Sequence, residues 1–124
     1  MMTIEEVKKD LIIECSEDEV GLWVVLWYVR NHVKIEDLGE RRQMTLKIVY
    51  DLLKEELIQA IDPYQRHPYE MWSLSPEETI ARIEREWDAL GREPNIADIV
   101  EFIITEKGDE VAKKLLEEDS GVKA

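Results

Sequence analysis

Apolar residues recur at three- and four-residue spacing through most of the chain, and that period predicts helices. Ile4, Val7, Leu11 and Cys15 form the first stripe, with Glu5, Glu6, Lys8, Lys9 and Asp10 on the other face. The stretch GLWVVLWYVRNH, Gly21 to His32, departs from this rhythm, because Leu22 through Val29 is an unbroken apolar run. Ser16 and Glu19 just before it spell Ser-x-x-Glu, the signature of a capping box, so the run reads as a helix over about residues 17–32. A helix apolar all round is buried on several sides, which places Trp23, with Trp27 four residues on, in the core. Between Glu40 and Leu57, Met44, Ile48 and Leu52 make one row and Thr45, Val49 and Leu53 the next, after a short turn at Ile35–Leu38. This predicts a long amphipathic third helix.

The period then changes. LIQAID reads as a short strand ending at Asp62-Pro63, and residues 62–73 form a loop punctuated by Pro63 and Pro68. Ser75-Pro76-Glu77-Glu78 combines an N-cap serine, proline at the first helical position and glutamate at the third. The helix it starts directs Ile80, Ile83, Trp87 and Leu90 inward and stops at Gly91. Ile99 to Thr105 is β-branched and predicts a mostly buried strand. Gly108 is expected to turn the chain into a last helix, Asp109–Glu118, with Val111, Ala112 and Leu115 inward, and DSGVKA is expected to fray. The expected fold is α+β and mostly helical, with a small antiparallel β pair. Residues 1–124 read as a single domain, its core drawn from about 4–61 and 96–118 around an inserted loop and helix at 62–95.

TLKIVYDLLKEELIQA resembles the third helix of winged-helix domains, which leads directly into the first wing strand. VEFIITEKGDEVAKKL resembles their returning strand and the Thr-Glu-Lys-Gly turn that opens a C-terminal helix. The resemblance covers residues 20–61 and 99–116. It implies a winged-helix-like core whose wing carries a helical insertion. As a whole the chain is also similar to small uncharacterised bacterial proteins that share a Leu-Ser-Pro-Glu-Glu helix between two strands. Winged helices often place glycine just before the wing strand, where this chain has Glu56, and wings that bind DNA are usually basic.

Charge bears on the choice of partner. The chain has 124 residues and a formal charge of −13, and residues 62–124 carry twice as many acidic as basic side chains. Such a molecule is repelled by phosphate backbones and anionic membranes and favours a basic partner. A spanning helix needs about 20 apolar residues, which rules the Leu22–Val29 run out as an anchor. A lone cysteine and an N-terminus without signal-peptide character lead to a cytoplasmic expectation.

Candidate chemistry is sparse. His32 and His67 are isolated, no cysteine pair exists, and Cys15 lies on an apolar stripe without a nearby histidine in sequence. No enzyme, metal or cofactor is therefore expected. Two surfaces are candidates. Tyr64, Arg66, His67, Tyr69 and Trp72 concentrate in one loop the residue types enriched at interface hot spots. They favour a non-enzymatic acidic protein-interaction module, which binds a basic partner or itself. An immunity- or antitoxin-like protein, its acids matched to a basic toxin, is one version. The alternative is a transcriptional regulator, with Arg41, Arg42, Gln43, Lys47, Tyr50 and Lys54 of the third helix as DNA contacts, though net charge disfavours it.

Overall fold

The computed structural model describes residues 1–66 and 68–119, so His67 and the expected fraying from Ser120 onward lie outside the described residues. Helix α1, Ile4–Glu17, starts from a complete capping box between Thr3 and Glu6. The Thr3 hydroxyl accepts from the Glu6 N–H at 3.1 Å, and a Glu6 carboxylate oxygen accepts from the Thr3 N–H at 3.1 Å. Ser16 does not cap a second helix. It lies inside α1, where its hydroxyl donates to the Ile13 carbonyl at 2.6 Å.

The apolar run therefore divides differently from its expected form. Val20–Gly21 is strand β1, and helix α2 spans only Leu22–Tyr28. The helix widens into a π turn over Val29–Val33, ended by Lys34 in the left-handed region. Leu22, Val25, Leu26, Tyr28 and Val29 are buried. Trp23 is only half-buried, its ring lying over Gly21, and Trp27 is 39% exposed. With α2 started at Leu22, the tryptophan face turns outward, so the expected core role of Trp23 is corrected.

Helix α3, Leu38–Lys54, is capped by the Asp37 carboxylate on the Glu40 N–H, and it buries Thr45, Leu46, Ile48, Val49 and Leu52. Its C-terminus closes as a Schellman motif. Leu57 N–H donates to the Leu52 carbonyl and Glu56 N–H to the Leu53 carbonyl, both at 3.0 Å. This geometry places Glu56 at φ 61, in the left-handed region that favours glycine. Glu56→Gly should accordingly raise stability by about 0.5–1 kcal/mol. Urea denaturation measures it, and a clear loss of stability would mean that the glutamate is held by something other than its backbone.

Strand β2, Ile58–Ile61, leads to helix α4, Pro76–Leu90, whose Ser75–Glu78 capping box and Gly91 terminus are as expected. Strand β3 covers Glu101–Ile104. It begins two residues later than the β-branched run suggests, because Ile99 sits at φ 70 in a tight turn closed by Val100 N–H on the Asp98 carbonyl. Helix α5 spans Glu106–Asp119 and begins before Gly108, with Thr105 as its cap. Gly108 is a helical residue, and the expected turn there is corrected.

Among the described residues the architecture is α+β, with five α-helices and a three-stranded antiparallel sheet in the order β1-β3-β2, one strand more than the expected pair. Phe102 faces Val20 on one side and Ala60 on the other. The core gathers Val7 and Leu11 of α1, Leu26 of α2, Ile48 and Val49 of α3, Ile83 of α4, Phe102 and Ala112. Among the described residues, no helix is long and apolar enough to cross a membrane.

Candidate protein-interaction surface

The loop after β2 is held at many points. Tyr64 N–H donates to a Glu101 carboxylate oxygen at 2.9 Å. The Gln65 amide closes on the Glu70 backbone in both directions, donating to its carbonyl and accepting from its N–H. The Tyr69 hydroxyl donates to the Glu19 carboxylate, and that bond pushes the phenol up to about 12. Trp72 is pinned most firmly. Its backbone N–H donates to the Ala60 carbonyl at 3.0 Å, its indole N–H to Asp62 at 2.9 Å, and the Arg82 guanidinium lies 3.6 Å from its ring centroid. Met71, beside it, bridges Ile61.

These bonds sort the loop candidates. Tyr69 and Trp72 face inward and are half-buried. Tyr64 and Arg66 remain exposed, Tyr64 at 82% with its backbone at φ 66. The structure thus presents an exposed tyrosine on a constrained support.

The third-helix candidates are placed quite differently. Helix α4 lies antiparallel along α3 and pairs with three of the residues expected to face DNA, Arg42, Tyr50 and Lys54. At one end Arg42 reaches Asp88 at 2.7 Å and stacks on Trp87, 5.1 Å from its ring centroid. At the other, the Tyr50 hydroxyl donates to Glu77 at 2.9 Å, and Lys54 lies 4.0 Å from the same carboxylate. Lys47 pairs with Asp51 on its own helix at 2.6 Å, and Asp51 also takes Lys8 of α1 at 2.8 Å. Gln43 is exposed. Arg41 is buried: its guanidinium donates to the Ile35 and Glu36 carbonyls and to Glu93 at 2.8 Å.

The sequence predicts helix α4 but not its pairing with α3, although a signal existed. Glu77, Glu84 and Asp88 stand seven and four residues apart, one acidic face of α4. Arg41 should behave as a structural residue. Arg41→Lys keeps the charge but loses the fork that serves three acceptors, and is expected to cost about 1–3 kcal/mol. Arg42→Lys, in exposed pairs, should change stability by less than about 1 kcal/mol. Urea titrations of both variants test this, and equal effects would refute the distinction.

Beside the loop runs a groove of about 600 Å³, lined by Leu53, Ile58, Ala60, Met71, Trp72 and Leu74 among others. Elsewhere Cys15 is buried, donates its thiol to the Phe102 carbonyl at 3.5 Å, and is pushed up to about 12 by burial. A thiol in that state is protonated at neutral pH and a poor nucleophile. Among the described residues, no group of three or more His, Cys, Asp or Glu side chains is arranged to hold a metal ion. No protein family, curated protein or solved structure matches the chain.

Proposed function

We propose that the chain is a non-enzymatic protein-interaction module that meets a basic partner through the face formed by the 62–74 segment, on a winged-helix-like scaffold. The observation that carries this reading is Tyr64, 82% exposed on a loop whose other aromatic residues are tied down. Fixing the tyrosine's backbone in advance, as the Tyr64 N–H bond to Glu101 does, lowers the entropy lost on association, and tyrosine and arginine supply much of the energy at protein interfaces. The charge of −13 supports a basic partner, as an immunity- or antitoxin-like role would require. The run from α3 through β2 and back through β3 into α5 supports the scaffold. DNA binding through α3 is the weaker reading, since Arg42, Lys47 and Lys54 each have a carboxylate partner.

The test is an affinity capture from a lysate of the source organism, with nucleic acid digested in a parallel sample. The natural chain should retain a basic protein after digestion. The double variant Tyr64→Ala, Arg66→Ala should lose it at an unchanged melting temperature. Retention that depends on nucleic acid, or that survives the double substitution, would defeat the proposal.

A further inference from the structure

The groove beside β2 is a gap in the sheet. Thr105 N–H donates to the Leu57 carbonyl at 3.1 Å, and Ile58 stands opposite Ile104. Antiparallel strands alternate, so Leu57 and Gln59 direct their backbone groups toward β3, whereas Ile58 and Ala60 direct theirs to the outer edge. The outer edge is half covered. Met71 bridges Ile61, and Trp72 N–H occupies the Ala60 carbonyl. Continued in register, the same pairing would put Leu74 opposite Ile58.

It does not continue. Ser73 takes φ 54 and turns the chain away toward the α4 cap. The segment thus peels off one step before Ile58, and the groove of about 600 Å³ opens between them. Among the described residues, the Ile58 N–H and C=O have no backbone partner at that edge. An open donor and acceptor on an edge strand, beside apolar side chains, are what strand addition requires.

Charge identifies the occupant. Glu56 and Glu106 line the groove, are exposed, and have no ion-pair partner for their carboxylates among the described residues. Lys107, the one cation on this lining among the described residues, donates its ammonium to the Glu55 carbonyl at 2.9 Å. We infer that the groove receives an extended segment of a protein partner, which pairs its backbone with Ile58 while its lysine or arginine side chains meet Glu56 and Glu106. This rests on the protein-interaction reading above and names the part of the partner that binds. Alternate side chains of the segment would point toward Leu53 and Leu74.

The test uses the full chain labelled with nitrogen-15 and a ten-residue peptide of alternating lysine and valine, blocked at both ends. A control peptide carries the same side chains with every backbone amide N-methylated. The expected result is a shift of the Ile58 amide resonance with slowed hydrogen exchange. Affinity should fall at least tenfold for the N-methylated peptide, and several-fold for the double variant Glu56→Gln, Glu106→Gln. An unmoved Ile58 amide, or no binding at millimolar peptide, overturns the inference. If the N-methylated peptide binds equally well but the double variant weakens both peptides, strand addition is wrong while a basic partner for this face stands.

Discussion

A Phe102→Ala chain should unfold with about 4 kcal/mol less stability than the natural one. Phe102 is 1% exposed and lies in the middle strand, with Val20 and Ala60 beside it. Its carbonyl also receives the Cys15 thiol of α1. Truncation removes the ring from a site closed by a helix and two strands, so the surroundings cannot collapse into the space. The loss is a large share of the roughly 5–15 kcal/mol that separates folded from unfolded domains. Urea titration reads it directly, and Phe102→Leu, which keeps most of the volume, should cost less than about 1.5 kcal/mol. A loss below about 1 kcal/mol for the alanine variant would show that the core is centred elsewhere.

Gly108→Ala is the second large effect, and its sign runs against propensity. Within a helix, alanine should gain about 1 kcal/mol over glycine. At Gly108, however, an added Cβ would lie 2.2 Å from the Leu57 carbonyl oxygen and 2.7 Å from Ile104 Cδ1. The first obstacle is backbone, fixed by its bond from Thr105 N–H. Relief requires α5 to move off the α3–β2 junction, so a net loss of about 2–3 kcal/mol is expected. Glu110→Ala, an exposed site on the same helix, serves as the neutral control. Thermal melts decide the matter: if Gly108→Ala is as stable as the natural chain, the close approach does not constrain the helix.

The helical framework was legible in the sequence because burial and period coincide there. The rows of α3 and the Ser75–Glu78 cap of α4 are local, and local patterns survive folding unchanged. The failures have physical reasons. Ser16 and Glu19 spell a capping box, but the α1 stripe runs on to Cys15, so the helix was already formed where the cap was expected. Thr3 and Glu6 carry the same signature at the true start. Strand β1 is two residues long, too short for alternation to register. Gly108 is required by a carbonyl 51 positions away in the chain, which leaves no local trace.

The candidate surfaces divide in the same way. The composition of the 62–73 loop marks it as unusual, but which aromatic residues face inward is decided by Glu19, Asp62 and Arg82. The basic look of α3 is real in sequence, yet Arg42 and Lys54 are met by α4, a helix that follows 22 residues later, Lys47 by Asp51 of α3 itself and Arg41 by Glu93. Periodicity shows that α4 has an acidic face, but not which helix that face meets.

The order of the sheet also bears on how the chain acquires its structure. Strands β1 and β2 touch only through β3, which comes last of the three. Val20 must therefore wait for Phe102, its partner more than 80 positions later, and until then the edges of β1 and β2 that receive β3 stay unpaired. Closure over so long a span is entropically slow. The first three helices are therefore expected to collapse before the sheet, which can close only once residues 101–104 are available, an order that pulse-labelled hydrogen exchange would read.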